Sequence, residues 1–204
     1  MPARHSSVGP AHGHVLAERD DSLLAPLDSR ALHAGVAPPF AEVFRAHGGY
    51  VLTLLRRLGV NAADVEDVAQ EVFVTVYAKL PEFEGRSALK TWLCGICLRK
   101  AASYRRKHRS RRELPGAPLP PLVASDDPQA GLAHKQHAAL LHVALARLPD
   151  KQREVFVLYE IEELEMAEVA RAVGCPRFTA YTRLRAARSE VRAFFTRHAA
   201  RSER

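Results

Sequence analysis

Apolar residues recur at three- and four-residue steps from Phe40 to Leu58, the spacing of one face of an amphipathic helix. Gly59 follows and favours the end of that helix. A second apolar stripe begins after Asn61 or Asp64, either of which can serve as its N-cap, and acidic residues in its first turn stabilise a helix N-terminus. The pattern therefore predicts two successive helices.

Prolines divide the rest of the chain. Pro81 ends the second stripe, and a third helix is expected from about Ser87 into a basic stretch that closes at Arg112. Five prolines then fall within residues 113–130, a density that prevents a helix and predicts an extended linker. Helical periodicity returns after the linker, with Pro149 in the first turn of one of the helices.

The layout of a helix-turn-helix is found in residues 164–191. A short apolar stripe ends at Gly174, which tolerates the left-handed backbone of a turn, and Pro176 opens the next helix. The opposite face of that helix is rich in arginine, which suits guanine edges and phosphates in a major groove. A solvated basic helix that closes a bundle is the alternative interpretation. The core stripe of the helix is predicted to be Ala180, Leu184, Ala187, Val191 and Phe195.

Together these segments predict an all-α protein of two small helical domains joined by a proline-rich linker, with the helix-turn-helix in the C-terminal domain. No segment has the pattern of a convincing strand. The expected divisions are a tail at 1–37, a first domain at 38–112, the linker at 113–130, a second domain at 131–198 and a tail at 199–204.

The balance of charge narrows the choice of partner. A net charge of +7 over 204 residues, with a pI of about 9.7, indicates a polyanion: nucleic acid, an anionic membrane surface or an acidic protein. The first domain begins acidic and ends basic, so one element can face a protein and another a nucleic-acid backbone. Neither a membrane-spanning run nor a secretory signal is evident, so we expect a cytoplasmic protein that does not bind membranes.

Aromatic, basic and small residues alternate between Phe83 and Trp92, a composition that suits stacking on unpaired bases. The alternative is that both aromatic rings belong to the core, because Trp92 shares a stripe with Ile96.

Other reactive residues give weaker indications. Cys94 and Cys97 form a CxxC without further ligands at suitable spacing, so we interpret them as small buried hydrophobes, with metal or redox sensing as the alternative. The acidic residues Glu162, Glu163 and Glu165 are interpreted as a solvated helix end. Because neither a catalytic constellation nor a phosphate-binding loop is visible, we expect no enzyme, no cofactor and no metal.

With both halves considered, the sequence resembles the extracytoplasmic-function group of sigma-70-like sigma factors, which direct bacterial RNA polymerase to promoters. The resemblance covers about residues 40–112 and 134–196 and implies core RNA polymerase and promoter DNA as partners, with an anti-sigma factor as a further candidate. It is carried by DVEDVAQEVF at 64–73, LPDKQREVF at 148–156, EVA at 168–170 and TAYTRLRAAR at 179–188.

The resemblance implies three contact surfaces. Contact with the polymerase is implied for Asp64, Glu66, Asp67, Gln70, Glu71, Phe73 and Val74. Contact with the −10 promoter element is implied for Phe83, Arg86, Lys90, Thr91, Trp92 and Arg99. Contact with the −35 element is implied for Arg177, Thr179, Tyr181, Thr182, Arg183, Arg185 and Arg188.

The chain also departs from the family pattern. Arg99 stands where an asparagine is usual, Glu163 where a glycine is usual, and Glu165 where a capping hydroxyl residue is usual. We therefore expect a less regular turn into the helix-turn-helix. The competing hypothesis is an autonomous helix-turn-helix regulator whose first domain senses a ligand or dimerises; a polymerase-docking helix beside a base-capturing segment argues against it.

Overall fold

The computed structural model describes residues 38–112 and 132–202, and within them the chain is helical without a strand. The all-α prediction is confirmed. A 3-10 turn at Leu80–Glu82 and a π-helix at Val157–Ile161 interrupt the α-helices. The α-helices are α1 (Phe40–Arg57), α2 (Val65–Lys79), α3 (Leu89–Arg112), α4 (Leu132–Arg147), α5 (Asp150–Phe156), α6 (Met166–Val173) and α7 (Arg177–Ser202). The predicted linker lies outside the described residues.

Helices α1, α2 and α3 pack against one another and enclose the core of the first domain. Leu54 and Leu55 of α1 and Leu93 of α3 are completely buried, as the three- and four-residue spacing predicts. Burial of each leucine side chain contributes roughly 1.5–3 kcal/mol.

The start of α2 differs from its sequence prediction in one respect. Asp64 occupies the N-cap position, but its side chain makes no capping hydrogen bond. Its carboxylate instead accepts a hydrogen bond from the Tyr104 hydroxyl at 2.6 Å, which ties the start of α2 to α3.

The second domain consists of α4 to α7. The turn into α6 is irregular at Glu163, as expected, but the helix start at Glu165 is regularly capped. Glu165 and Glu168 form a reciprocal capping box at the start of α6, so a carboxylate replaces the usual hydroxyl cap. Glu163, in the place of the usual glycine, adopts a left-handed backbone with φ 55°. Gly174 ends α6 with φ 65°, as predicted.

The C-terminal helix keeps its predicted buried face for most of its length. Ala180, Leu184 and Ala187 are at most 2% exposed. Near the end of the helix the prediction is wrong by one position, because Phe194 is buried whereas Phe195 is only partly so. Arg147 of α4 stacks on the Phe194 ring at 5.3 Å, and this contact favours Phe194 as the inward residue.

The two domains pack together, with α1 against α4 and α3 against α6. Glu162, which ends the π-helix, lies at this interface, and its side chain is 3% exposed. The interpretation of Glu162 as a solvated helix end is therefore wrong: a carboxylate this buried needs charged or hydrogen-bonding partners. The first domain supplies them.

Candidate nucleic-acid and polymerase interfaces

The exposed face of α7 collects most of the predicted −35 residues. Tyr181, Thr182 and Arg185 are exposed on the side away from the buried alanine and leucine stripe, and Tyr181 is 54% exposed. Arg177 is also exposed, but it lies in the first turn, in line with that stripe. Gly174 ends α6 with a left-handed backbone, and α7 begins three residues later at Arg177. Thr179 and Arg183 lie partly buried on one edge of this face, four residues apart.

Arg188 differs from the other arginines of this helix. Its guanidinium donates to the Glu160 carboxylate at 2.6 Å and lies 5.6 Å from the centre of the Tyr159 ring. The charge of Arg188 is therefore paired within the protein, and its side chain supports the packing of α7 on the π-helix.

Phe178 was missed by the sequence analysis. It is 82% exposed, more than Tyr181, and lies on the first turn of α7. The side chain of Thr182 bonds back to the Phe178 carbonyl at 3.0 Å, which places both residues on one face. Its position four residues before Thr182 and seven before Arg185 was the available indication.

The −10 candidates of the first domain include one aromatic pair. Phe83 and Trp92 have ring centres 5.2 Å apart, and both are partly buried against the core. Both interpretations of these rings therefore apply in part, since each ring packs inward and keeps an accessible portion. Around the pair, Arg86 is exposed and paired with Glu84, Lys90 is half exposed, Thr91 is partly buried and Arg99 is exposed.

Helix α2 turns most of its predicted polymerase residues to the surface. Glu66, Asp67, Gln70, Glu71 and Val74 are exposed, and Val74 is 69% exposed. Glu71 forms an ion pair with Lys100 of α3 at 3.3 Å.

Phe73 is the exception on α2. Its side chain is 7% exposed and lies against Phe44, with ring centres 4.7 Å apart, so its predicted place on the contact surface is wrong and it belongs to the core. The sequence analysis instead missed Phe44 and Tyr77, which are 52% and 67% exposed. Tyr77 lies three residues after Val74, so the two residues extend the same exposed face of α2.

Comparison with known families gives two matches in the same order as the two helical units. The family described as Sigma-70 region 2 matches residues 43–111, and Sigma-70, region 4 matches residues 138–191. The sigma factor CnrH of Cupriavidus metallidurans is 30% identical over 143 residues, which cover 66% of this chain and 75% of that protein.

The chain belongs to the extracytoplasmic-function sigma factors of the sigma-70 family.

Other proteins similar to this sigma factor are also named as sigma factors. The RNA polymerase sigma-H factor of Pseudomonas aeruginosa is 29% identical over 155 residues, covering 69% of this chain and 78% of that protein. Among solved structures, the sigma factor RpoE of Bartonella quintana in complex with the anti-sigma factor NepR has a TM-score of 0.64 at 22% identity. That match covers 77% of this chain and 96% of the solved one, and it supports the fold. The sigma factor is thus a transcription initiation factor that acts with RNA polymerase.

Two of the three cysteines of the sigma factor, Cys94 and Cys97, are in the core, as predicted. Cys94 and Cys97 are at most 1% exposed. Burial raises the pKa of both thiols, to about 12 for Cys94, so they are protonated at neutral pH. Among the described residues, no group of three or more histidine, cysteine or acidic side chains is placed to hold a metal ion. The helices of that part of the chain also include none long and apolar enough to cross a membrane.

Proposed function

We propose that this sigma factor binds core RNA polymerase through α2, captures the −10 element with the Phe83–Trp92 pair and reads the −35 element with α7. The observation that carries the proposal is the exposed stripe of α7, which presents aromatic, hydroxyl and arginine side chains opposite a fully buried stripe. Such a stripe on the second helix of a helix-turn-helix fits a major groove.

In the −35 contact, the N-terminal half of α7 supplies the base-reading side chains. Arg185 is exposed, so its planar guanidinium can bond a guanine edge with two hydrogen bonds. Phe178 offers an apolar surface of the kind that contacts a thymine methyl group. Arg188 stays paired with Glu160 and holds α7 against the π-helix.

In the −10 contact, the accessible parts of Phe83 and Trp92 offer stacking surfaces to bases that leave the duplex. Exposed Arg86 and Arg99 and half-exposed Lys90 place positive charge around the pair, where strand phosphates pass. Stacking offsets part of the cost of unstacking a base, which is a few kcal/mol per step.

The polymerase contact combines charge with apolar area on α2. Its acidic first turn is exposed, and Val74 and Tyr77 add apolar surface two to three turns further along. An exposed apolar patch rimmed by charge is typical of a protein interface. We place the protein in the cytoplasm, where the polymerase acts. We include an anti-sigma factor among its partners because the solved structure of RpoE contains one, NepR.

Run-off transcription with core polymerase of the source bacterium and fragments of its genome tests the proposal. The wild-type chain is expected to give promoter-specific transcripts. Arg185→Ala should lower their yield by roughly 5- to 150-fold, the effect of about 1–3 kcal/mol lost from one base contact. Arg192→Ala is the matched control, because Arg192 is also exposed but lies two turns further along α7, outside the base-reading N-terminal half.

Two results would contradict the proposal. Absence of a specific transcript from every fragment would exclude a sigma factor acting in this way. Tight, sequence-specific footprints without polymerase would support the autonomous regulator instead.

A further inference from the structure

The ion pair between Glu160 and Arg188 lies at the edge of the candidate DNA surface. Arg188 is half exposed, and its Nε donates to Oε1 of Glu160 at 2.6 Å, while Nη2 approaches the same oxygen. The guanidinium also lies over the Tyr159 ring, 5.6 Å from its centre. Two neighbouring residues of the π-helix therefore determine where the Arg188 charge is held.

Arg188 lies on the edge of α7 that continues from Tyr181. The two residues are seven apart, which is about two helical turns, so their side chains leave the helix in nearly the same direction. The two DNA backbones flank the major groove, so a side chain at the edge of a helix inserted there is closer to phosphates than to base edges. We therefore expect the phosphates of the −35 duplex to pass beside Arg188.

The charge of Arg188 is not available in the same way as the charges of its neighbours. Among the α7 arginines that the structure describes, Arg188 alone pairs with a carboxylate. An approaching phosphate therefore meets a neutral pair there, whereas exposed Arg185 and Arg192 keep their full positive charge. The Glu160 side chain is itself 31% exposed, so its carboxylate repels a phosphate that comes close to Arg188.

The pair competes with a phosphate contact because it is formed before the DNA arrives. To reach Arg188, a phosphate has to break the pair and leave the Glu160 carboxylate unpaired beside its own negative charge. Removing that carboxylate would free a cation at the place where a phosphate passes. An arginine that neutralises a phosphate releases counterions, and the binding constant then falls more steeply as salt is added.

Building on the proposed −35 contact, we propose that Glu160 is a positioning residue that withholds Arg188 from the DNA backbone. Glu160 acts through Arg188 and not on a base, so it lowers the affinity of α7 for every duplex by the same factor. A duplex without the matching bases is consequently released more readily, and binding to the −35 element depends on base contacts more than on charge.

Binding of the holoenzyme to promoter fragments at several salt concentrations tests the proposal. One fragment carries a promoter identified by run-off transcription, and the other carries the same promoter with its −35 region scrambled. Glu160→Gln should steepen the fall of log affinity with log salt concentration by about 0.9, the slope of one phosphate contact. Between about 50 mM and about 200 mM salt, this adds a roughly 3.5-fold loss of affinity. The added slope should be equal on both fragments, because phosphate contacts carry no sequence information.

A second substitution separates the release of Arg188 from the simple loss of a negative charge. Glu160→Gln combined with Arg188→Gln should return the salt slope to the wild-type value, because the freed cation is then missing. The control is Glu190→Gln, which removes the same formal charge from an exposed position of α7. Residues two apart on a helix do not face each other, so Glu190→Gln leaves Arg188 paired and should leave the slope unchanged.

Several outcomes would overturn the inference. An unchanged slope in Glu160→Gln would mean that Arg188 gains no phosphate, and a flatter slope would mean that Glu160 directs Arg188 onto the DNA. A gain that persists in the double variant would assign the effect to overall charge. A gain on the intact −35 fragment alone would assign it to base reading.

Thermal unfolding shows whether each variant keeps its fold. Glu160→Ala also frees Arg188 and tests the inference if Glu160→Gln does not fold. A wild-type holoenzyme that binds the two fragments equally would count against the proposed −35 contact, whereas the difference in salt slope would still decide the role of Glu160.

Discussion

The guanidinium of Arg153 fills the space beside Gly59 that a side chain would need. Its carbon lies 3.1 Å from the point where a Cβ on Gly59 would stand, and Gly59 has φ 89°. Arg153 is held there by hydrogen bonds to the carbonyls of Leu145 at 2.8 Å and Leu148 at 2.9 Å. A glycine of the first domain and an arginine of the second therefore fit together at the interface.

Gly59→Ala is expected to destabilise the protein because it adds both backbone strain and a clash with Arg153. A left-handed residue other than glycine costs roughly 1–2 kcal/mol, and overpacking a further 1–3 kcal/mol. Urea unfolding should show a lower midpoint. Gly49→Ala is the matched control: Gly49 lies within α1 with open space around it, so alanine should stabilise by about 0.5–1 kcal/mol. Equal midpoints for the two variants would contradict this prediction.

Two threonines of α7 separate DNA recognition from helix stability. Thr182 and Thr196 are both exposed, and each hydroxyl bonds back to a carbonyl one turn earlier, at 3.0 Å and 3.1 Å. Replacement by alanine removes the same local interaction at either site. Thr182→Ala should weaken holoenzyme binding to the −35 element by about 0.5–1.5 kcal/mol, the range of one hydrogen bond.

Filter binding of the holoenzyme to promoter fragments measures the effect, and thermal unfolding verifies that both threonine variants fold alike. Thr196→Ala should bind as the wild type does, since Thr196 lies far from the N-terminal half of the helix. A loss of binding in Thr196→Ala equal to that in Thr182→Ala would mean that helix propensity, not base contact, is measured.

Phe178 should contribute to base selection through an apolar contact. Replacing each thymine of the −35 element by deoxyuridine removes one methyl group without changing hydrogen bonding. At the thymine that Phe178 contacts, this should weaken binding about fourfold, the equivalent of about 0.8 kcal/mol per methyl group. Phe178→Ala should abolish the difference between thymine and deoxyuridine at that position, as measured by competition binding of the holoenzyme. A variant that still distinguishes the two bases at every position would rule out the contact.

Protonation of two interface histidines should lower the stability of the folded chain. Burial, followed by the charge of Lys90, lowers the pKa of His47 from its usual 6.5; burial, followed by Arg153 and Arg56, lowers that of His142. The unfolded chain therefore binds more protons below pH 6.5, and the free energy of unfolding should fall as pH drops through that value.

Urea unfolding at about pH 8 and about pH 5.5, above the range where most carboxylates titrate, measures the change. Replacing both histidines by glutamine should flatten the dependence in this window. An unchanged slope in the double variant would assign the effect to other groups.

Much of the fold could be predicted because its determinants are local. The spacing of Ala180, Leu184 and Ala187 fixed the phase of α7, since an apolar stripe on a helix can turn only one way toward a core. The error at Phe195 arose near the end of α7, where the helical spacing allows either Phe194 or Phe195 to face inward. The contact of Arg147 in α4 with the Phe194 ring favours Phe194. Local spacing also placed Val74 on the exposed side of α2, which is correct. It placed Phe73 on the contact surface as well, which is wrong, because the burial of Phe73 depends on its contact with the aromatic rings of α1.

The partners of Glu162 could not be predicted in the same way. The Tyr50 partner of Glu162 is 112 residues away in sequence, and no local pattern distinguishes Glu162 from its exposed neighbour Glu163. The match between a buried acid and distant cations is a property of the docked domains, so only a three-dimensional arrangement reveals it.

Because a π-helix precedes Glu162, the direction of the Glu162 side chain depends on the number of residues in this segment. The Glu162 amide bonds to the Val157 carbonyl, five residues back rather than four, at 3.0 Å. The wide turn acts as a one-residue spacer that rotates Glu162 by about 100° relative to an uninterrupted α-helix. Loss of a single residue here would present a different side chain to the first domain while leaving both domains intact. The docking of the two domains in such a chain therefore depends on a single residue of helix length.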